Sequence, residues 1–407
     1  MADTTLAALL RASTARIAPR CQHFGECGGC TLQHVPYPEQ LRLKAELVTR
    51  LVRRAVPGAP AALPTIPGTT LEDPWGYRHK VHFVFGSPRN ALVMGHYAAG
   101  SRRVVPVREC PVHDEKGNRL AFALRDAYAR AHATAAPEGT LKSIAVRVGY
   151  ATREVMGTLV VTDPSDARVR ASTRRVLDSP QAPSSFHVNI HPRGDAFVFG
   201  RETRRIAGPD RMREEVAGIS YLISPTAFFQ TNVRAAEILV GLVREAVPAG
   251  TRVLDLYAGA GLFGLPLARD GHDVVAVEEN RAAVADGEAS RDFNSIPSEK
   301  CRFVARRVED ALRHDTQFDT VILDPPREGC SAAVIETVFG TMAPAAAVYV
   351  SCNPEALARD LATITRHRYR IESIQPLDMF PHTAHVETVV CLSRLSQGAT
   401  KTRRRTE

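Results

Sequence analysis

Residues 252–264 read RVLDLYAGAGLFG. The run from Val253 to Leu256 is apolar apart from Asp255 and has the length of a buried strand, and Gly259, Gly261 and Gly264 then let the backbone turn tightly into the next segment. Six further runs of strand character follow, DVVAVEE, CRFVARR, DTVILD, AVYVSC, YRIESIQPL and VETVVCL, separated by helical stretches. Strands alternating with helices predict a doubly wound sheet, so residues 224–396 are expected to form a Rossmann-like α/β domain of seven strands.

The glycine turn is ambiguous by itself. GAGLFG satisfies G-x-G-x-x-G, and Glu278, at the end of the second strand DVVAVE, stands where an acid that binds ribose hydroxyls belongs. Such an acid suits NAD and S-adenosylmethionine (SAM) equally well. A tight strand-to-helix turn with no ligand is the plain alternative.

Upstream the pattern differs. PYPEQLRLKAELVTRLVRRAV, from residue 36, has apolar residues at helical spacing and leads into the Pro-rich linker PGAPAALPTIPG, so residues 36–60 are expected to contribute a helix packed on the C-terminal domain. HKVHFVFG, ALVMGHYA, RRVVPV, IAVRVGYA, EVMGTLVVT, SSFHVNIHP and YLISP then read as strands divided by turn residues, which predicts an antiparallel sheet. The expected organisation is an extension over 1–20, a strand-rich domain over 21–223, the α/β domain over 224–396 and a disordered basic tail over 397–407.

CQHFGECGGC, residues 21–30, holds three of the eight cysteines, Cys21, Cys27 and Cys30. The opening MADTTLAALLRASTAR carries Asp3 and a short apolar run cut by Arg11, which fits neither a secretory signal nor a membrane span, so a reducing cytoplasm is expected. There, close cysteines hold metals or do redox chemistry more often than they form structural disulfides. Spacing alone admits four-thiolate zinc, an iron–sulfur centre or a redox pair at Cys27 and Cys30. A net charge of +8, with basic runs such as GSRRVVPVR, suggests a polyanionic partner, although solvated basic faces are also common.

The chemistry gathers at later strand ends, where open α/β sheets bind their ligands. LDPPR, residues 323–327, sets Asp324 before two prolines that stiffen the loop. YVSCNPEALARDL places Cys352 just ahead of a helix with Pro354 in its first turn, where the helix dipole favours a thiolate. DMFPHTAHVE precedes the last strand, which starts at Glu387. If that strand runs antiparallel, Glu387 lies at the edge that carries Cys352, and a thiol faces a carboxylate across one pocket, as a nucleophile and a proton acceptor require. Cys330 is the reserve nucleophile, and His382 and His385 are the competing bases. Cys301 and Cys391 read as packing residues.

In SPTAFFQTN, LDLYAGAG, LDPPR, YVSCNP, DMFPHTAHVE and the cysteine cluster, the chain strongly resembles the SAM-dependent RNA 5-methyluridine methyltransferases. The resemblance implies Cys352 as nucleophile toward carbon 6 of uracil and Glu387 as general base. It implies that Gln230, Tyr257, Glu278 and Asp324, with the Gly259–Gly261 turn, line the SAM and uridine sites. It also implies a [4Fe-4S] cluster on Cys21, Cys27, Cys30 and Cys110, the last in RECPVHD, with zinc as the alternative. Only twenty residues precede Cys21, so the small RNA-binding barrel common in ribosomal members is expected to be missing. This matches a barrel-less subgroup acting on 23S ribosomal RNA; a tRNA T-loop uridine is the second substrate. No membrane and no obligate protein partner are implied. Leu262 stands where several members carry Asn, which puts a methionine contact there in question. Two readings outside this class are an NAD-dependent oxidoreductase, which leaves LDPPR, SCNP and Glu387 unexplained, and an inactive iron–sulfur RNA-binding module, which the intact Cys352 and Glu387 oppose.

Overall fold

The computed structural model describes residues 5–192, 194, 198–312 and 317–396, so the basic tail expected over 397–407 lies outside the described residues. Thr5 caps a short helix α1 (Leu6–Ala12) by accepting from the Ala8 amide. After the cysteine loop comes α2 (Tyr37–Ala55), with Pro38 in its first turn, where a missing N–H costs nothing. Tyr37, Leu41, Lys44, Val48 and Val52 form one buried stripe of α2, and it packs along the C-terminal part of the chain as expected. The Pro-rich linker contains a two-residue strand, β1 (Ile66–Pro67).

A seven-stranded sheet follows. Its members are β2 (Lys80–Gly86), β3 (Val93–Tyr97), β4 (Val104–Pro106), β5 (Leu141–Val148), β6 (Val155–Val161), β7 (Ser185–Ile190) and β8 (Glu202–Ala207), in the order β4-β3-β2-β5-β6-β7-β8. It departs from the expected antiparallel sheet at one pair, because β6 and β7 run parallel. A helix unmarked in the sequence reading provides the crossover that a parallel pair needs: α4 (Ala167–Leu177), capped by Asp166, packs against α3 (Glu115–Arg130). YLISP does not join this sheet. It lies in β10 (Ile219–Ile223), which pairs with β9 (Met212–Val216) as a separate hairpin.

The C-terminal elements are α5 (Val233–Ala246), β11 (Arg252–Leu256), α6 (Gly264–Arg269), β12 (Asp273–Glu278), α7 (Arg281–Phe293), β13 (Cys301–Ala305), α8 (Val308–Ala311), β14 (Thr320–Leu323), α9 (Ala332–Ile335), β15 (Ala346–Ser351), α10 (Pro354–Ile364), β16 (Tyr369–Asp378) and β17 (Glu387–Arg394). Their sheet runs β1-β16-β17-β15-β14-β11-β12-β13. It holds the seven expected strands and, at one edge, β1 as an eighth, parallel to β16. β17 is antiparallel to both β15 and β16, as anticipated. Alternate residues bury opposite faces: Val253, Ile322 and Val350 pack in the cluster that contains Leu239 and Val240 of α5, while Leu254, Val321 and Tyr349 pack in the cluster that contains Leu357 and Leu361 of α10. No helix among the described residues is long and apolar enough to cross a membrane.

Lys44 interrupts the apolar stripe of α2 for a reason the fold supplies. Its Nζ lies 2.6 Å from Oδ1 of Asp378, at the end of β16, and neither side chain has any solvent exposure. The Phe380 carbonyl accepts from the same ammonium at 3.3 Å. Burial pulls the Lys44 ammonium down and pushes the Asp378 carboxyl up, and each charge opposes the other's shift. Removing one partner of such a pair strands a buried charge, at a cost of about 3–5 kcal/mol. Lys44→Met should therefore lower the unfolding free energy by about that amount in urea denaturation. Adding Asp378→Asn should restore most of the loss; if the two single losses simply added, the pair would not be coupled.

Candidate active site

β11 lies between β12 and β14, so the loops after β11 and β14 diverge at the switch point of the sheet and leave a crevice at its carboxyl edge. Cys352 follows β15 directly. Asn353 caps α10 by accepting from the Glu355 and Ala356 amides, and its own amide donates to the Arg327 carbonyl at 2.9 Å, tying this turn to the LDPPR loop. In the β15–β17 ladder Ser351 is paired with Thr388, so one further step of the register sets Cys352 opposite Glu387. Opposed positions on one face lie about 5 Å apart at Cβ. Glu387 is 6% exposed.

Burial lifts Glu387 to about 8, with Asp324 pushing it further up and Arg327 drawing it down. Burial likewise lifts Cys352 to about 11, reinforced by Glu387 and Asp324 and opposed by Arg327. Here the structure departs from the expected thiolate. The helix end is already capped by Asn353, and burial beside two carboxyls outweighs what remains of its dipole. Asp324 keeps some exposed surface, yet loss of water raises it to about 7.

The glycine turn is built for close approach. Gly261 has φ +83°, and a Cβ there would strike the Phe303 ring at 2.8 Å. Gly259, φ +56°, faces open space, and its amide donates to Glu278 at 3.0 Å. The other Glu278 oxygen accepts from Asn280 N–H at 2.7 Å, so the carboxylate is aimed by two backbone donors. Asp255 braces the turn by accepting from Gly264 N–H at 3.0 Å; burial lifts it to about 8. Tyr257 adopts φ +63°, a strained backbone for a side chain of that size, with its phenol beside Cys330. Gln230 is half-buried two residues before Asn232, whose amide donates to the Met379 carbonyl at 3.0 Å at the start of the loop that leads to Glu387. The Leu262 carbonyl accepts from the Tyr221 hydroxyl at 3.1 Å, so this position serves the fold through its backbone.

The reserve candidates separate from this group. Cys330 is buried, with its amide bound to Asp360 at 2.8 Å, and burial pushes its thiol to about 12. Cys301 is fully buried, and Cys391 sits half-buried within β17. His382 is stacked on Trp75 at 3.9 Å between ring centroids; Gln40 donates to its Nδ1 at 3.2 Å, and its Nε2 meets the Pro74 carbonyl at 3.1 Å. Both ring nitrogens are engaged, which makes it a structural residue. His385 is exposed beside Phe380. Sequence reasoning missed Arg327, the cation facing Cys352 and Glu387, although it closes the LDPPR run.

The four cysteines named from the sequence converge on a second, separate cavity with Arg78, His96 and His113. Cys27 bridges to Ala98 and the Gly28 amide donates to the Tyr97 carbonyl at 2.9 Å, so the loop 21–30 is held against the end of β3, while Arg78 bridges to His113 and holds the RECPVHD turn against the segment entering β2. Gly29 N–H points at the Cys27 sulfur at 3.4 Å. Just beyond this loop, the Thr31 and Leu32 amides both donate to the His382 carbonyl at 2.9 Å.

The profile described as tRNA (uracil-5-)-methyltransferase matches residues 184–395. The chain belongs to that family. An uncharacterized RNA methyltransferase of Thermosynechococcus vestitus is 37% identical over 391 residues, covering 95% of this chain and 86% of its own. A second, from Gloeobacter violaceus, is 35% identical over 95% of this chain and 85% of its own. Among solved structures, the Pyrococcus abyssi tRNA (uracil-54, C5)-methyltransferase in complex with S-adenosyl-L-homocysteine superposes with a TM-score of 0.75 at 28% identity, over 90% of this chain and 86% of that one. An RNA (uracil-5-)-methyltransferase fold thus underlies the pairing of Cys352 with Glu387.

The resting charge state of this methyltransferase is testable without substrate. With its thiol near 11, Cys352 should be alkylated by iodoacetamide slowly at pH 7 and about tenfold faster per pH unit above it, read by peptide mass spectrometry. Above pH 8 Glu387 carries charge and holds the thiol up, so Glu387→Gln should accelerate alkylation at pH 9. An unchanged rate would show that the two groups do not sense each other.

Proposed function

We propose that the protein transfers the methyl group of SAM to carbon 5 of a uridine in RNA, through a transient bond between Cys352 and carbon 6. The observation that carries this reading is the placement of Cys352 opposite Glu387 across the end of the β15–β17 ladder, with Asp324 and Arg327 beside them. The crevice over Gly259 and Gly261, with the Glu278 carboxylate aimed by two amides, fits the ribose and methionine ends of SAM, which supplies an electrophilic methyl. Gln230, Tyr257 and Asp324 are proposed to complete the lining of the SAM and uridine sites.

Carbon 5 of uracil is a weak nucleophile. Cys352 loses its proton and adds through sulfur to carbon 6, which places negative charge on the carbon 5–carbon 4–oxygen system. Carbon 5 then takes the methyl group, with S-adenosylhomocysteine leaving. Glu387, as carboxylate, removes the proton from carbon 5; the electron pair re-forms the ring double bond, the carbon–sulfur bond breaks and Cys352 leaves as thiolate. Arg327 offsets the negative charge that passes among sulfur, ring and carboxylates. A stacked base cannot reach this pocket, so the uridine is flipped from its RNA, which suits a loop.

The substrate we infer is a loop uridine of 23S ribosomal RNA in the cytoplasm, a reading supported by the four-cysteine motif and by the net charge of +8. A tRNA uridine is the second reading, favoured by the activity that the Pyrococcus relative is named for. Mapping 5-methyluridine in 23S RNA and tRNA from cells with and without the gene decides between them: loss from one RNA identifies the target, and loss from neither overturns the reading.

The cavity shared by Cys21, Cys27, Cys30 and Cys110 fits a [4Fe-4S] centre in its donor set, in the Gly29 N–H aimed at sulfur and in the Arg78 cation that offsets thiolate charge. Four-thiolate zinc is the other occupant. Protein purified without oxygen should be brown with about four irons per chain, and Cys110→Ser should be colourless. Zinc in place of iron would overturn the cluster.

The two catalytic roles are separable. Cys352→Ala should form no covalent species and no product. Glu387→Gln should add and methylate but stall before elimination, accumulating methylated RNA joined to protein as a slow band in denaturing gels that requires SAM. A band that survived Cys352→Ala would transfer the nucleophile role to another cysteine.

A further inference from the structure

The ligand atoms of His96, Cys110 and His113 all lie within 4.8 Å of one another. They come from two elements that the fold forces together: His96 from β3, and Cys110 and His113 from the turn before α3, where His113 N–H closes onto the Cys110 carbonyl at 3.1 Å. The imidazoles meet edge to face at 5.2 Å between centroids, and Phe83 walls both at 4.9 and 5.0 Å. His113 is 4% exposed, and its Nδ1 makes no close hydrogen bond among the described residues, with the Asn118 side chain as its nearest polar neighbour. A buried ring nitrogen without a partner is a costly arrangement unless something coordinates it. Asn118, whose amide donates to the Cys110 carbonyl at 3.0 Å, anchors the same turn from α3.

Two imidazole nitrogens and one thiolate are the donors of a borderline cation such as zinc, and they do not suit magnesium or calcium. In a tetrahedral site of this kind, ligand atoms stand roughly 3.5 Å apart. The three residues line the same cavity as the other three cysteines. Cys110 belongs to both groupings and cannot serve two centres at once.

We propose that His96, Cys110 and His113 form a mononuclear site for a zinc-class divalent cation, exclusive with the iron–sulfur centre because the two share Cys110. The site goes beyond the methyl-transfer reading and is available where no cluster has taken Cys110. In the absence of iron, the cation holds the RECPVHD turn against β3 and so preserves the wall of the cysteine cavity.

The test uses the full-length chain, freed of metal with a chelator, shown by circular dichroism to be folded, and titrated with cobalt(II). Tetrahedral cobalt on one thiolate and two imidazoles should give visible d–d bands and a sulfur-to-cobalt charge-transfer band about a quarter as intense, per metal, as a four-thiolate site. His96→Ala and His113→Ala should each abolish these bands, while iron and sulfide still colour the anaerobic protein. Cys21→Ser should keep the cobalt bands and lose the iron colour. Cobalt bands that survive both histidine changes, or that disappear in Cys21→Ser, would place the metal on the four cysteines and overturn the site. His113→Gln, which keeps size and polarity, guards against loss by misfolding: it should also lose the bands while remaining folded.

Discussion

β17 enters the sheet against both of its neighbours, and the chemistry at the carboxyl edge depends on that reversal. Were the eight residues of β17 to run parallel, Glu387 would start at the opposite edge, about 26 Å away at ~3.3 Å per residue. Running backward, the strand lies beside β16 as its hairpin partner and is reached by a short connection over the same edge that carries the glycine turn, the LDPPR loop and Cys352. A single register step then decides which side chain faces the thiol, and a slip of one residue would turn Glu387 to the other face of the sheet.

The first half of the connection from β16 to β17, residues 379–382, is fixed by parts of the chain distant in sequence. Lys44 holds Asp378, Asn232 holds Met379, the Tyr77 hydroxyl donates to the Pro381 carbonyl at 2.8 Å, and Gln40 accepts from the His382 amide at 2.9 Å. Thr31 and Leu32, just beyond Cys30, donate to the His382 carbonyl. These groups are buried, so each bond left unmade would cost about 1–3 kcal/mol, and the loop has one low-energy course. The cysteine loop and the proposed catalytic loop therefore share an anchor, and order in one is order in the other.

Charge is held back at the resting site. Burial raises Cys352, Glu387 and Asp324; Asp324 adds to the rise of Glu387, both carboxyls add to that of Cys352, and Asp255 behind them is raised as well, with Arg327 the cation that faces Cys352 and Glu387. Near neutral pH the thiol and much of Glu387 are protonated, which avoids crowding anions in a dry pocket. In the proposed mechanism such a site releases charge only when a ring can receive it. An arrangement that stabilised the thiolate permanently would hold its nucleophile in a deeper well and weaken its attack.

Much of the molecule was legible in the chain. Each of the seven C-terminal strands was marked by an apolar run, and turn residues with fixed backbone demands marked the strand ends, so Cys352, Asp324, Glu278 and Glu387 were found by position. The reversed last strand was anticipated, and with it the approach of Glu387 to Cys352. The parallel pairing of β6 with β7, the separate β9–β10 hairpin and the added β1 were not legible, since pairing depends on partners far away in sequence. Lys44 was hidden for the same reason: a charge within an apolar stripe makes sense only when Asp378 arrives to meet it. The sequence by itself determined which chemical groups stand at which strand ends, because local periodicity and turn chemistry act within a few residues. Only the tertiary structure decided their charge states, the role of Arg327 and the meeting of His96 with Cys110 and His113, because burial and Coulomb interaction depend on what the fold brings within a few ångströms.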